Sequence, residues 1–263
     1  MRVSERLDVG LRTLATGLSF ASFGLGGMLL SITLFPILKL LSRDVDTARR
    51  RIQLAMHYTF RVFVWEMKML GLLSYEVVGR ERLLQRGKLV VANHPSLIDV
   101  VFLIALMPEV DCIVKQALWR NPFTRGPVSW ASYIPNSGSS ERLIEEAASN
   151  LRMGRSLIIF PEGTRSVPGQ PLSMQRGAAR IAAAARANIV PVTILCEPAT
   201  LTKAEPWYQV PRRRPNWKLV VGETLSANDY APVNEPPSLV ARRLTEFFLS
   251  YFTNSLAALG SKR

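Results

Sequence analysis

The sequence predicts an α/β fold, a mostly parallel central sheet flanked by helices, preceded by an N-terminal membrane-associated helical segment. Three observations predict it. From Tyr75 onward, short β-branched runs alternate with helix-length stretches, the pattern of parallel strands joined by helical crossovers. Before that point, residues 13–38 form a stretch of 26 residues without a charged side chain. The formal net charge of +13 is unevenly spread: residues 1–90 carry 14 basic and 7 acidic side chains, 91–200 carry 10 and 8, and 201–263 carry 9 and 5. Basic flanks around a nearly balanced centre suit a globular unit whose ends meet an anionic surface.

The uncharged stretch, as a helix, would reach about 39 Å, more than a hydrocarbon core of about 30 Å. It contains Gly17, Gly24, Gly26, Gly27 and Pro36, so a straight span and a kinked or monotopic helix both remain open. The run exceeds the apolar core of a secretory signal, and no small-residue cleavage context follows it. Lys39, Arg43, Arg49, Arg50 and Arg51 follow, against Arg2, Arg6 and Arg12 before it, which favours a cytoplasmic location for what comes after. The next apolar segment, 51–73, is interrupted by Arg61, Glu66 and Lys68 and reads as an amphipathic interfacial helix. His57 within it has no nearby carboxylate or cysteine in sequence and reads as a packing or interfacial residue.

Strands are predicted at 75–78, 88–92, 112–115, 156–160, 189–195 and 217–222, and helices at 140–153, 177–187 and 238–257. The organisation is therefore N-terminal membrane-anchoring helices over 1–73 and an α/β domain over 74–263. Cys112 and Cys196, both in apolar strand contexts, read as reduced core residues. In parallel sheets, ligands bind at the carboxyl ends of the strands, and two polar loops emerge there. After the strand at 88–92 come Asn93 and His94, with Asp99 five residues beyond His94 in a helix expected to begin at Pro95 or Ser96. Asp99 can fold back to His94, fixing one ring nitrogen as a donor and leaving the other as a base near neutral pH. A helix-cap histidine with a solvent-facing aspartate is the alternative. After the strand at 156–160 comes FPEGTRS, residues 160–166. Its turn offers backbone N–H groups and the planar fork of Arg165 to a phosphate or carboxylate, with Glu162 placed to bind hydroxyls or to hold Arg165. A turn with a surface Glu162–Arg165 pair is the alternative there.

Asn93-His94-x4-Asp99 followed by Phe160-Pro-Glu-Gly-Thr-Arg-Ser resembles the lysophospholipid or 1-acylglycerol-3-phosphate acyltransferase family of glycerolipid enzymes, with its HX4D motif. The resemblance extends to RGAARIA at 176–182 and to IVPV at 189–192. It implies a membrane-bound O-acyltransferase of phospholipid biosynthesis, moving a fatty acyl group from acyl-CoA or acyl carrier protein to the free hydroxyl of a lysolipid, 1-acylglycerol-3-phosphate foremost. By the same resemblance, His94 and Asp99 are catalytic, as general base and its orienting partner, and Asn93, Glu162, Gly163, Thr164 and Arg165 bind the substrate. No cofactor and no metal is implied. One position departs from the family: its second motif carries an arginine where this chain has Asn136. Loss of that cation opens a non-phosphate acceptor, such as a lyso-aminolipid or a specialised polyene lipid, and leaves Arg142 as a nearby substitute in sequence.

The stretch 201–219 interleaves Lys203, Arg212, Arg213, Arg214 and Lys218 with Trp207, Tyr208 and Trp217. Basic and aromatic side chains together suit a lipid headgroup surface or an acidic carrier protein. This stretch resembles acyltransferases associated with bacterial aryl-polyene lipids. The expected partners are therefore membrane lipids and the acyl donor, with no nucleic acid, and the expected location is the cytoplasmic (inner) membrane with the catalytic domain on its cytoplasmic face. A non-catalytic lipid-binding protein would keep the anchor and the basic stretch without needing the dyad. A metal hydrolase is disfavoured by the presence of only two histidines, and a serine hydrolase by the lack of a G-x-S-x-G elbow.

Overall fold

The computed structural model describes residues 3–136, 140–203, 205–230 and 235–260. In chain order the elements are α1 (Val3–Ile32), α2 (Leu34–Leu40), α3 (Val45–Met69), β1 (Ser74–Val78), β2 (Lys88–Ala92), α4 (Asp99–Leu106), β3 (Asp111–Lys115), α5 (Gln116–Arg120), α6 (Pro122–Trp130), β4 (Ile134–Asn136), α7 (Ser140–Arg152), β5 (Leu157–Ile159), α8 (Gly177–Ala185), β6 (Asn188–Glu197), β7 (Asn216–Val221), β8 (Leu225–Ser226) and α9 (Pro237–Gly260). Every predicted strand and helix is present. The sequence reading missed β4 and β8, which are only three and two residues long, and the helices α5 and α6.

The sheet order is β1-β7-β6-β2-β5-β3-β4, with β8 also on β6. From β6 through β4 all neighbours run parallel. β7 and β8 pair antiparallel with β6, and β1 is parallel to β7. The fold class expected from the sequence is the one observed. β2 lies in the middle, with Leu89, Val90, Val91 and Ala92 fully buried, as a strand covered on both faces requires. The pleat divides its side chains between two cores. Val90 and Ala92 join α2, α3 and α4, while Leu89 and Val91 join α7, α8 and α9.

α1 and α2 together provide the segment Glu5–Leu40, long and apolar enough to cross a membrane. The helix breaks at Thr33, ahead of Pro36, whose ring would collide with the carbonyl four residues earlier. The glycines in α1 act mainly at a packing seam. A Cβ on Gly27 would lie 3.2 Å from Pro127 of α6, one on Gly17 would lie 3.3 Å from the Trp207 ring, and one on Gly126 would collide with Ser31. Phe23 packs on Phe60 and Phe63 of α3 at centroid distances of 5.2 and 4.8 Å. At the other end, Arg12 donates to the carbonyls of Pro211 and Arg212 at 2.8 Å each. α1 is thus laid along the body from Arg12 to Ser31, with Leu7, Leu11, Leu14, Leu18, Leu25 and Leu29 turned outward.

α3 is amphipathic in an unusual sense. Asp44 caps it by accepting from the N–H of Thr47 at 2.8 Å. One face buries Ile52, Met56, Phe63, Val64 and Met67, while Tyr58, Val62, Trp65 and Met69 are exposed on another. His57 is buried, its Nδ1 donating to the carbonyl of Ile104 at 2.9 Å. Burial holds its pKa below the ordinary histidine value, so it packs as a neutral ring. Both cysteines are free and buried, their thiols pushed up to about 12 by desolvation.

Candidate functional site

The site forms where β2 and β5, paired in parallel from Leu89↔Leu157 to Val91↔Ile159, end side by side. The chain leaving β2 does not enter a helix at Pro95 or Ser96, as the sequence suggested; α4 begins at Asp99 itself. The cause is the Asp99 carboxylate. Its Oδ2 accepts the backbone N–H of Ser96 at 2.6 Å and its Oδ1 accepts the Ser96 hydroxyl at 2.5 Å. A four-residue turn of this kind diverts the backbone from helix. The N–H of Leu97 reaches across to the carbonyl of Leu201 at 3.0 Å.

That turn brings His94 and Asp99 together. His94 Nδ1 lies 2.9 Å from Asp99 Oδ2, with Asp99 fully buried and the histidine side chain 19% exposed. An ionised carboxylate only accepts, so Nδ1 carries the hydrogen and Nε2 is left with its lone pair. Nε2 has no hydrogen-bond partner among the described residues. The ring is braced by Phe160, stacked on it at 4.1 Å with the planes 21° apart. The alternative of a solvent-facing Asp99 is thereby excluded.

Glu162 and Arg165 do not pair with each other. Glu162 is buried, and its Oε1 accepts the backbone N–H of His94 at 2.8 Å and the hydroxyl of Ser166 at 3.0 Å. Burial pushes its carboxyl above the ordinary glutamate value, and those two bonds oppose the shift. Ser166 N–H also donates to the carbonyl of His94 at 2.7 Å, so the two loops are tied at two points, His94 N–H to Glu162 and Ser166 N–H to His94. Arg165 Nη1 donates to the carbonyls of Leu201 and Thr202 at 2.9 and 2.8 Å. Gly163 turns with φ +67°, a conformation open to glycine, and Thr164 sits half-buried beside it. Asn93 is buried under the loop and bonded to Ile194 of β6. The structure thus brings His94, Asp99 and Glu162 into one cluster, with Arg165 fastened to the neighbouring 201–202 segment and Asn93 bonded away toward β6.

Farther along the same edge, β3 ends at Lys115 and β4 at Asn136, register partners of one another. Lys115 is exposed, a cation that the sequence reading passed over. On the other side, a cavity of about 800 Å³ is lined by Asn93, Pro95, Ser166, Leu172, Cys196 and Arg213, among others. Trp217, grouped above with the surface aromatics of 201–219, is instead 1% exposed on β7, because its alternation with Lys218 points it into the sheet's core face. Its indole N–H donates to the Ser96 hydroxyl at 3.1 Å. Ser96 and Ser166 were legible as hydroxyls three before Asp99 and four after Glu162; Trp217, 121 residues from Ser96, carried no local signal.

Residues 74–195 match a family model described as Acyltransferase. A 1-acyl-sn-glycerol-3-phosphate acyltransferase of Saccharomyces cerevisiae is 29% identical over 203 residues, covering 74% of this chain and 63% of that protein. One from Helicobacter pylori is 32% identical over 41% of this chain and 48% of its own length. The human beta form is 34% identical over 49% of each. The chain therefore spans less than two thirds of the length of these relatives. The crystal structure of the 1-acyl-sn-glycerophosphate (LPA) acyltransferase PlsC from Thermotoga maritima shares the fold, with a TM-score of 0.68, 21% identity, and coverage of 95% of this chain and 98% of that one.

Proposed function

We propose that this chain, whose residues 74–195 match the acyltransferase family model, transfers a fatty acyl group from an acyl thioester to the free hydroxyl of a lysolipid, 1-acylglycerol-3-phosphate being the leading acceptor. The observation that carries the reading is the His94–Asp99 pair, one partner fully buried, the other held against it through Nδ1 with Nε2 unbonded among the described residues. In the reaction, Nε2 takes the acceptor's hydroxyl proton as its oxygen attacks the thioester carbonyl. The tetrahedral adduct collapses with cleavage of the C–S bond, and the imidazolium returns the proton to the departing thiolate. An ester and a free thiol result. A thioester is already activated, so positioning and general-base help of about 10² to 10⁴ are the contributions needed from this dyad.

Glu162 is bonded to His94 N–H and the Ser166 hydroxyl and Asn93 to the backbone of Ile194, so in this reading they hold the acceptor's seat, and Gly163, Thr164 and Arg165 bind the acceptor. Lys115 supplies a cation beside Asn136, which supports a phosphate-bearing acceptor despite the missing arginine. Acyl-CoA or acyl carrier protein serves as donor. The outward leucines of α1, the exposed face of α3 and Trp207 with Tyr208 support a monotopic seat on the cytoplasmic membrane face. A helix packed along the body from Arg12 to Ser31 is poorly placed to stand across a bilayer.

The test is a transfer assay in vesicles with labelled acyl-CoA and acyl carrier protein, offered a panel of lysolipids, run beside His94→Ala. Transfer to 1-acylglycerol-3-phosphate that the substitution abolishes supports the reading. His94-dependent transfer only to acceptors without phosphate replaces the acceptor and keeps the chemistry. Turnover that survives His94→Ala sinks the dyad as the source of the chemistry, and no transfer to any acceptor sinks the reading in favour of lipid binding without catalysis.

A further inference from the structure

We propose that Trp217 is a positioning residue of the dyad: its buried indole N–H sets the hydroxyl of Ser96, and Ser96 in turn locks Asp99 against His94. The inference rests on the reading of His94 and Asp99 as the catalytic pair. Trp217 stands on β7, between Tyr75 of β1 and Cys196 of β6 in the sheet register. Its ring packs beside Phe102 of α4 at 5.7 Å. From there Nε1 donates to Ser96 Oγ at 3.1 Å, Oγ donates to Asp99 Oδ1 at 2.5 Å, and His94 Nδ1 donates to Asp99 Oδ2 at 2.9 Å.

The direction of each bond follows from the groups themselves. An indole N–H can only donate, and a hydroxyl has a single hydrogen. Once Oγ has accepted from Trp217, its own hydrogen is left to Asp99. Oδ1 is thereby committed to the hydroxyl, and Oδ2 to Ser96 N–H and the imidazole. Both carboxylate oxygens are fixed, so the plane of the carboxylate and the tautomer of His94 are fixed as well. Ser96 and Asp99 are 0% exposed, and in such surroundings chained hydrogen bonds reinforce one another and no water substitutes for a missing donor. If the indole merely filled space, its N–H would need only some acceptor; here it reaches the one hydroxyl that holds the aspartate.

The experiment compares wild type with Trp217→Phe, Ser96→Ala and the double variant. It reads kcat, KM for donor and acceptor, the thermal midpoint and the ¹⁵N resonances of the imidazoles. The chain has only two histidines, so His57 serves as the internal reference. Trp217→Phe keeps an aromatic ring without the donor. It is expected to lower kcat about tenfold with both KM values within about twofold, and to mix the His94 tautomers while His57 stays unchanged. Ser96→Ala is expected to cost at least as much, and the double variant no more than Ser96→Ala alone, because the indole acts through that hydroxyl. Ser96→Ala also leaves Trp217 in place, so its indole N–H resonance must move even if Trp217→Phe fails to fold.

Unchanged kcat and His94 resonances in a folded Trp217→Phe, multiplying losses in the double variant, or an unmoved indole resonance in Ser96→Ala would each overturn the proposal. These outcomes are separate from failure of the underlying reading, which shows as turnover that survives His94→Ala.

Discussion

The side-chain amide of Asn93 exchanges hydrogen bonds with the backbone of Ile194, Nδ2 donating to its carbonyl at 2.8 Å and Oδ1 accepting its N–H at 2.7 Å. The amide thus imitates a strand residue and fastens the end of β2 to β6 one position before the histidine. Asn93→Leu leaves a buried N–H and a buried C=O unpaired. At about 1–3 kcal/mol for each orphaned group, a loss of about 2–6 kcal/mol is expected from urea unfolding. Turnover should fall as well, because the His94 loop loses its footing. A variant as stable as wild type would mean that water or a backbone shift replaces both bonds.

The contrast between Asn93 and Trp217 shows what a sequence can disclose. β2, the two polar loops and the His94–Asp99 pairing were legible because each is set by local rules: β-branched runs, a proline at the bend, a carboxylate within reach of an imidazole. The roles within the site were less so. Glu162 bonds back to His94 N–H and Arg165 to the 201–202 carbonyls, and those partners are 68 and about 36 residues away. Trp217 looked like a headgroup residue because arginines and aromatics surround it in the chain. Only its place in the strand register turns it inward. The helix start was misplaced for the opposite reason, a local Ser96–Asp99 turn outweighing the usual preference for proline in a first helical turn.

The buried Glu162 gives stability a defined pH dependence. Its folded-state pKa is raised above the ordinary 4.5, with desolvation the largest cause, so the native protein holds that proton more tightly than the unfolded chain. Its contribution is fully present below the unfolded value and is lost as pH rises through the folded one. Glu162→Gln keeps an acceptor for His94 N–H and the Ser166 hydroxyl but does not titrate. Urea unfolding at about pH 4, 5.5 and 7 should show the stability difference moving in favour of the glutamine variant as pH increases. A difference that stays constant over that range would mean that the carboxyl is relieved by water.

Below the sheet, far from the loops, Asp111 is buried and accepts from Arg49 at 3.3 Å, Gln53 at 2.8 Å and Asn150 at 3.1 Å. This network clamps α3 to β3 and α7. Burial pushes the Asp111 carboxyl upward, with Gln53 and Arg49 opposing. Arg49→Met strips the cation from a carboxylate whose side chain is 1% exposed and is expected to cost about 3–5 kcal/mol in chemical unfolding. Adding Asp111→Leu should recover most of that loss, since the uncompensated charge goes with it.

The membrane seat is testable without the chemistry. Leu14 and Leu18 are 63% and 61% exposed one turn apart on α1, and nothing in the body covers them. Glutamate at both positions removes about 1.5–3 kcal/mol of apolar burial per leucine. Vesicle flotation should show partitioning reduced by about 10²- to 10⁴-fold, with the thermal midpoint in detergent unchanged. His94→Ala, by contrast, should float like wild type. Equal flotation of the leucine variant would move the seat to α3 and the Trp207–Tyr208 loop.

The proposed phosphate acceptor is tested at Lys115 and Asn136, paired in register at the ends of β3 and β4. If the lysine holds the acceptor phosphate, Lys115→Met removes one charge-assisted contact, about 1.5–3 kcal/mol, or roughly 10- to 150-fold in KM for 1-acylglycerol-3-phosphate. Because that contact is made equally in ground and transition states, kcat should change little. Asn136→Arg, which restores a cation and a bidentate fork at the neighbouring strand end, should lower the same KM. Acceptors without a phosphate should be indifferent to both substitutions. An acceptor series in which KM tracks neither residue would place the headgroup elsewhere, with the free edge of Arg165 the next position to substitute.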